Sequence, residues 1–283
     1  MFYDLKIGGI GFHIVSDCGF LAEESMTPFL QSHLDGWDIN IEISQIFAAA
    51  PVPAAAMAGE DLLLEYYFQN DEMLCLAKGG MKGPIAICKC NCDATHLVCY
   101  LNPEYSNGYI SLGNLLRLLP MRTILQHHGV QFFHAAQIAI GNKGILFTAP
   151  SGTGKTTQAR LWKKHCGARV VCSDRTLVRN GMTYGYPVDG SEPVISGEVN
   201  SLGAIVLLSQ SLENSIHRLK PSHAFVKLLP QLVIDGWNPE AKELAAEQIL
   251  DLLQNCPVYH LACTPDERAV ICLENCLKED GVL

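Results

Sequence analysis

Short runs of alternating polar and apolar residues fill the first third of the chain, and this alternation is typical of half-buried β-strands. The clearest run covers residues 38–43, in which every second residue is isoleucine. Residues 3–7 and 11–15 flank a Gly-Gly pair and predict a hairpin. Four further runs, which are mostly apolar, extend the strand series at residues 62–68, 73–77, 85–87 and 97–101. We therefore expect residues 1–105 to form a mostly β domain.

After this region the apolar residues recur at the spacing of an amphipathic helix, up to residue 128. Pro120 is expected to break this stretch into two helices, and Gly129 to end the second one. Farther on, apolar runs typical of strands alternate with helical stretches. The strand runs lie at residues 130–140, 144–148, 169–174, 204–208 and 258–261, with further helices expected to start around Ser222, Asn238 and Thr264. Residues 106–283, including the two linking helices, are predicted as a second domain, and the fold class as α/β (α+β).

The composition describes a folded protein with a sizeable core. The chain has 283 residues, of which 48% are hydrophobic and 17% charged. Its net charge of −9 disfavours nucleic acid as a partner, because sequence-independent binding needs clustered Lys and Arg. The first residues lack the pattern of a signal peptide, and no apolar run reaches the ~18 residues of a membrane span. We expect a cytoplasmic protein without a membrane partner.

Twelve cysteines are scattered along the chain, and the tightest group is Cys88, Cys90 and Cys92. Alternation on a strand would place these three side chains on one face. Structural zinc sites instead use pairs of ligands separated by two to four residues. Reduced thiols on a hairpin are therefore the favoured interpretation, and a metal site is the alternative.

The most informative motif is Ala-Pro-Ser-Gly-Thr-Gly-Lys-Thr at residues 149–156, placed between a predicted strand and a predicted helix. This setting is that of a phosphate-binding P-loop, in which glycines let backbone N–H groups surround an anion at a helix N-terminus. Ala149 stands where the common pattern has its first Gly. The predicted nucleotide-binding residues are Ser151, Gly152, Thr153, Gly154, Lys155, Thr156 and Thr157.

This motif predicts ATP and Mg²⁺ as ligands. Lys155 is expected to reach the β- and γ-phosphates, and the Thr156 hydroxyl to ligate Mg²⁺. Phosphoryl transfer also needs an acid that holds the metal or orients the nucleophile. Asp174 lies 18 residues beyond Thr156 at the end of an apolar run and is the best candidate, the alternative being an ordinary turn residue. Arg175 is expected to pair with phosphate or a carboxylate, or to lie on an exposed strand edge.

His134 lies on the strand that precedes the P-loop strand. An imidazole with an unperturbed pKa of ~6.5 can transfer a proton near neutral pH, although a hydrogen-bonded structural histidine is the simpler interpretation of the residue by itself. Asp189 and Glu192 follow the predicted Asn180-Gly181 hairpin and are further acids that could approach the metal or the acceptor.

These motifs, in this order, resemble the catalytic domain of HPr kinase/phosphorylase. The resemblance is carried by Phe-His-Ala-Ala at 133–136, by residues 144–157 and by Val-Val-Cys-Ser-Asp-Arg at 170–175, within a region of roughly residues 125–280. It is closer to HPr-kinase-related proteins found beside bacterial peptide-modification genes, some of which phosphorylate a serine of a precursor peptide. It implies a P-loop fold with a mixed sheet, related to phosphoenolpyruvate carboxykinase. It also implies a functional role for His134 beside Asp174, Lys155 and Arg175.

The sequence departs from that family at one position that matters for chemistry. HPr kinases have two consecutive Asp residues where this chain has Ser173 and Asp174. Asp174 is therefore expected to act both as base and as metal ligand, unless Asp189 or Glu192 assists. The family's later glycine- and arginine-rich loop has no convincing match, so the reverse phosphorylase activity is not expected.

The leading hypothesis is thus an ATP-dependent kinase that acts on a Ser or Thr hydroxyl of a protein or peptide. The alternatives are a nucleotide-binding regulatory protein without transfer activity and a kinase of a small hydroxy metabolite such as free serine. The resemblance implies a homo-oligomer, and residues 1–105 are a candidate for recognising the acceptor.

Overall fold

The computed structural model describes residues 1–105, 110–188 and 196–283. Contacts within the chain divide it into two compact units. The first unit contains Met1–His128 and Asp235–Pro239, and the second contains Gly129–Ile234 and Glu240–Leu283.

The first unit is built on a mixed nine-stranded sheet. Its strands are β1 (Phe2–Ile7), β2 (Ile10–Ser16), β3 (Leu30–Gln31), β4 (Ile39–Ser44), β5 (Met57–Glu60), β6 (Leu64–Gln69), β7 (Glu72–Ala77), β8 (Ala86–Cys90) and β9 (His96–Leu101). Their order is β3-β1-β2-β4-β9-β8-β7-β6-β5. The pairs β2–β4 and β4–β9 are parallel and the other pairs are antiparallel. The predicted β1–β2 hairpin is confirmed.

The alternation at residues 38–43 has the expected consequence in β4. Ile39 and Ile41 are fully buried, whereas Glu42 is exposed between buried neighbours. Because side chains of a strand point alternately to its two faces, this polar–apolar pattern fixes which face of β4 is covered.

Two short helices follow this sheet, α1 (Leu112–Leu118) and α2 (Met121–His127), and Pro120 separates them as predicted. They belong to the first unit, so the division falls after His128 and not after residue 105. The thiol of Cys88 on β8 donates to the carbonyl of Leu118 over 3.6 Å, which ties α1 to the sheet. The boundary therefore differs because the contacts of these helices, such as this hydrogen bond, lie within the first unit.

A later segment of the chain, Asp235–Pro239, also belongs to the first unit. The carboxylate of Asp235 is fully buried and accepts hydrogen bonds from Arg122 Nε at 2.6 Å and from Thr123 Oγ1 at 2.7 Å. The same guanidinium pairs with Asp61 at 2.9 Å. Trp237 packs against the ring of Tyr66, with centroids 4.8 Å apart. The segment is thus held by a buried ion pair and an aromatic contact.

We expect Asp235→Ala to lower the free energy of unfolding of the first unit by about 3 kcal/mol, because it leaves the partly buried Arg122 guanidinium without its main partner. Urea unfolding followed by circular dichroism measures this loss. Asp35→Ala, at an exposed position of the same unit, is the control and should change stability by less than about 0.5 kcal/mol. A loss below 1 kcal/mol for Asp235→Ala, on the order of an exposed ion pair, would contradict the assignment.

The second unit is built on an eight-stranded mixed sheet with helices on both faces. Its strands are β10 (Gln131–Ile140), β11 (Lys143–Thr148), β12 (Arg169–Cys172), β13 (Arg175–Arg179), β14 (Met182–Gly185), β15 (Val199–Gln210), β16 (Ser215–Arg218) and β17 (Val258–Cys263). Its helices are α3 (Lys155–Cys166), α4 (Pro221–Leu228), α5 (Pro239–Asn255) and α6 (Glu267–Glu279). The sheet order is β11-β10-β13-β14-β15-β17-β16, with β12 beside β10 and a further parallel pair, β11–β15.

Alternate residues of the central strands define two cores. On β10 and β11, Ile138 and Phe147 face the core that contains Trp162 of α3 and residues of α6. Phe133 and Leu146 face the opposite core, which is completed by α4 and α5. Each central strand is therefore buried on both faces, as its continuous apolar run predicts.

Two predicted helix starts are corrected by the structure. Helix α4 starts at Pro221, with Lys220 before it and no side-chain cap among the described residues, so Ser222 is not its cap. Helix α6 starts at Glu267 and not at Thr264, because the carboxylate of Asp266 accepts the backbone N–H of Arg268 at 3.0 Å.

The architecture over the described residues is thus mixed α/β, with two mixed sheets and six α-helices, consistent with the α+β class. Within the same residues, each helix is either too short or too polar to cross a membrane.

Candidate functional site

The loop between β11 and α3 has the conformation of an anion cradle. Gly152 and Gly154 have φ angles of +77° and +120°, a region that L side chains rarely adopt. Helix α3 begins directly after Gly154, and no side chain of the described residues caps it. The first N–H groups of a helix have no partner within it, and the helix dipole makes this end partly positive. The loop therefore offers several backbone donors to an anion.

Ala149, which replaces the first glycine of the common pattern, does not disturb this loop. Its backbone lies outside the left-handed region, so the position does not require glycine. The side chain is almost fully buried in the core beneath α3. Its carbonyl accepts a hydrogen bond of 2.8 Å from Lys155 Nζ.

Lys155 is buried and its ammonium is folded back over the loop. Besides the carbonyl of Ala149, Nζ contacts the carbonyl of Pro150 at 3.4 Å and Nε2 of His134 at 2.8 Å. Burial lowers the pKa of Lys155 below its ordinary value of 10.5, and the nearby Asp174 carboxylate acts against this effect. The ammonium is thus incompletely solvated and is held at the mouth of the loop.

We expect this burial to appear as a pH-dependent difference in stability between the wild type and Lys155→Met. Since the pKa of folded Lys155 is lowered, the unfolded chain binds more protons in the window below 10.5. The wild type should therefore gain stability relative to the variant as the pH rises through that window, by about 1.4 kcal/mol for each pH unit between the two pKa values. Urea unfolding of both proteins at neutral and alkaline pH measures this difference in the free energy of unfolding. A difference that does not change with pH would contradict the burial of the Lys155 ammonium.

His134 is positioned by the central strand of the second sheet. Strand β10 pairs with β11 on one side and with β13 on the other, where His134 lies opposite Arg175. The backbone N–H of Ala135 donates to the carbonyl of Asp174 at 3.0 Å, which fixes the turn between β12 and β13 beside the histidine. The alternation along β10 directs His134 to the same face as Ile138, which is the face covered by α3.

The imidazole of His134 connects Lys155 with Asp174. Nδ1 lies 3.1 Å from Asp174 Oδ1, and Nε2 lies 2.8 Å from Lys155 Nζ. An ionised carboxylate can only accept and an ammonium can only donate, so this chain of contacts fits a neutral imidazole with its proton on Nδ1. The hydrogen bond from His134 lowers the pKa of Asp174, with Arg175 and Lys155 contributing through their charges.

Arg175 lies at the edge of this group, with a side chain that is 45% exposed. Its Nε is 3.9 Å from Asp174 Oδ2, which is a loose contact. Of the four predicted catalytic residues, the structure thus brings Lys155, His134 and Asp174 into direct contact and places Arg175 beside them.

The hydroxyl residues of the motif lie at the start of α3. Thr156 is half-buried in its first turn, and Thr157 and Ser151 are exposed. Among the described residues, His, Cys, Asp and Glu form no group of three or more that could hold a metal. The oxygen donors of Thr156 and Asp174 are of the kind that Mg²⁺ prefers, and this ion is usually held by one or two protein ligands together with phosphates. The donor chemistry therefore fits a Mg²⁺ that arrives with a nucleotide.

A cavity of about 540 Å³ opens beside the loop. It is lined by Gly152, Thr153, Gly154, Thr157, Gln158, Leu208, Gln210, Ser211, Leu212, Cys263, Thr264 and Pro265. Gln158 is 3% exposed, and its Oε1 has no hydrogen-bond partner within the described part of the chain. Gln210 Nε2 donates to the loop carbonyls of Gly152 and Thr153 at 3.3 and 3.4 Å. The volume suits a nucleotide-sized ligand.

Gln158, Gln210 and Thr264 were missed by sequence reasoning. Gln158 lies on α3, Gln210 is the last residue of β15, and Thr264 directly follows β17. Strand β15 pairs in parallel with both β11 and β17, so the carboxyl ends of these three strands lie at the same edge of the sheet. In sheets with parallel strands, ligands bind outside those ends. The available signal was the change from apolar to polar residues after residues 208 and 263.

Two further sets of residues were singled out from the sequence. Asp189 and Glu192 lie outside the described residues. Cys88 and Cys90 are buried on β8, which ends at Cys90, so Cys92 does not share their strand face as predicted. None of the twelve cysteines, all of which lie in the described residues, forms a disulfide, and burial raises the pKa of Cys90 to about 12.

Comparison with known proteins adds no family to this description: no family model matches the chain, and a search of the curated proteins returns no match.

Proposed function

We propose that this chain is an ATP-dependent kinase that phosphorylates a serine or threonine hydroxyl of a protein or peptide. One observation carries the proposal. Lys155 lies at a helix start that follows a glycine-rich loop and that no described side chain caps; it contacts His134, and His134 contacts Asp174. Two consecutive hydrogen bonds thus link the cation at the anion-binding loop to a base and then to a carboxylate.

The loop residues would hold the triphosphate. The backbone N–H groups of residues 152–156 and the Lys155 ammonium neutralise its charge, and Thr156 and Asp174 are the protein ligands for Mg²⁺. ATP bound with Mg²⁺ supplies the phosphoryl group and a counter-charge for its oxygens. The cavity bounded by Gln158 and Gln210 would take the nucleoside.

His134 is proposed as the base. When Lys155 moves from Nε2 of His134 toward the phosphates, that nitrogen becomes available to the acceptor hydroxyl. The hydroxyl oxygen then forms the new bond to phosphorus, ADP leaves with the electrons of the broken bond, and the proton goes to Nε2. Asp174, which accepts from Nδ1, stabilises the resulting imidazolium.

This assignment differs from the expectation that Asp174 must serve as base. Ser173, at the position of the first Asp of HPr kinases, is buried, and a serine hydroxyl cannot replace a carboxylate as base. A neutral imidazole held by Asp174 supplies the missing basic group. Asp174 is then left to orient the imidazole and to ligate the metal.

The same serine supports the alternative, a nucleotide-binding regulatory protein without transfer activity. Such a protein would bind ATP with Mg²⁺ and never form a phosphorylated product. A kinase of a small hydroxy metabolite, such as free serine, would use the same site with a different acceptor.

The test is calorimetry of the purified protein with Mg²⁺ and ATP, followed by transfer assays with γ-labelled ATP. The acceptors are a cell extract depleted of small molecules and, separately, free L-serine. We expect saturable ATP binding and label in protein or peptide. Label only in serine would favour the metabolite kinase, binding without label would favour the regulatory protein, and no binding by folded protein would overturn the proposal.

A further inference from the structure

A second cavity, of about 440 Å³, lies in the second unit and shares no lining residue with the cavity beside the P-loop. It is lined by Gly129, Gln131, Val178, Arg179, Asn180, Gly181, Leu202, Gln248, Asp251, Leu252, Asn255 and Cys256. Its walls are the start of β10, the β13–β14 hairpin, the start of β15 and the last two turns of α5. Such a volume is in the range of small-molecule sites.

The cavity contains a buried acceptor without a partner. Gln131 is 6% exposed, and its Oε1 has no hydrogen-bond partner among the residues that the structure describes. It lies on the β10 face that Phe133 also uses, toward α5. An unsatisfied buried carbonyl costs roughly as much as a lost hydrogen bond, so a donor from a ligand would be well placed there.

The lining also carries one cation and one anion. Arg179 is half-buried and forms no ion pair within the described ranges, and Asp251 lies exposed at the rim on α5. Burial raises the pKa of Cys256 to about 12, so its thiol adds no charge. Val178, Leu202 and Leu252 supply an apolar wall. The charges present therefore complement a small molecule that carries one group of each sign.

We propose that this cavity binds a free α-amino acid or a zwitterion of similar size. The carboxylate pairs with the Arg179 guanidinium, for which a bidentate contact is the favoured geometry. The ammonium donates to Gln131 Oε1 and to Asp251, and the side chain lies on the apolar wall.

The site is separate from the P-loop but lies on the same strands. Gln131 is paired with Val178, and three residues farther along the same ladder His134 is paired with Arg175. This separation corresponds to about 10 Å along the strands. A ligand here would not compete with ATP for any residue described above.

The experiment is isothermal titration of the wild-type chain with each common L-α-amino acid at millimolar concentration. For an amino acid that binds, its N-acetyl derivative lacks the ammonium and its amide lacks the carboxylate. We expect either derivative to bind at least about tenfold more weakly. Arg179→Met and Asp251→Asn should weaken binding of the parent amino acid to a similar extent, whereas Arg218→Met, an exposed arginine on β16, should not.

Gln131→Leu gives an independent readout, because it removes the unsatisfied acceptor. We expect its melting temperature to be at or above that of the wild type and its amino-acid binding to be lost. Asp251→Asn changes only an exposed position, so it keeps the test valid if Gln131→Leu misfolds. Absence of amino-acid binding to folded wild type, or equal binding by Arg179→Met, would overturn the proposal. Titration with Mg²⁺ and ATP is measured separately, so failure at one site does not affect the conclusion about the other.

Discussion

Replacing Lys155 by methionine should reduce phosphoryl transfer by about a thousandfold while leaving the protein folded. The ammonium is the only charged group of the described loop residues 149–157, and a preorganised donor at a developing charge is typically worth two to three orders of magnitude. Methionine has a similar length and fills the same buried space. The measurement is the initial rate of label transfer from ATP at saturating acceptor.

The stability of this variant should not fall in parallel, because the substitution removes a buried charge whose pKa is lowered by that burial. Lys163→Met is the matched control, since Lys163 lies on the same helix and is exposed. It should transfer phosphate at the wild-type rate. Full activity in Lys155→Met would refute the P-loop assignment, and loss of activity in both variants would point to a general effect on α3.

The loop around Lys155 was predictable because all of its determinants are local. The apolar run of β11, the glycines at 152 and 154 and the helical spacing of α3 lie within about twenty residues of one another. Both glycines adopt φ angles that other residues avoid. The residue type visible in the sequence is therefore the one that the loop conformation requires.

The division into units was not predictable in the same way. Asp235–Pro239 joins the first unit through Asp235 with Arg122 and through Trp237 with Tyr66, contacts that span more than a hundred residues of sequence. No local pattern specifies such partners. The residues of α1 and α2 were correctly predicted to be helical, but their apolar spacing does not indicate which unit the helices pack into.

The contacts within the candidate site were also not predictable from local sequence patterns. Lys155 was singled out from the P-loop motif, His134 from its strand and Asp174 from its place at a strand end. Their contact, however, depends on the register of β10 against β11 and β13. A shift of one residue would move His134 to the opposite face of the sheet. The two cavities also combine residues from distant elements, so their walls could not be assembled from the sequence.

Register also explains how His134 is positioned for the role of base that we propose. On β10, His134 faces α3 while its neighbours Phe133 and Ala135 face the other core. Asp174 follows β12 at the point where the chain turns into β13, directly beside that face. Under the proposed function, the imidazole supplies the basic group that Ser173 cannot, because the strand places it within reach of both Asp174 and the loop.

Replacing His134 by asparagine should lower the transfer rate by roughly two to four orders of magnitude, because the variant lacks the group that accepts the hydroxyl proton. Binding of Mg²⁺ and ATP, measured by calorimetry, should change far less than the rate. A variant with wild-type activity would exclude His134 as base.

Asp174→Asn separates the kinase from the regulatory alternative. The amide can donate to Nδ1 of His134, which moves the imidazole proton to Nε2 and blocks proton acceptance there. We expect a loss of rate similar to that of His134→Asn, and the double variant should be little worse than either single one because the residues act as a unit. Glu247→Gln, at an exposed position of α5, is the control for removing one carboxylate. If Asp174→Asn changes only the affinity for ATP and the wild type shows no turnover, the chain binds nucleotide without transferring it. Additive losses in the double variant would instead show that Asp174 acts on the metal and not through the imidazole.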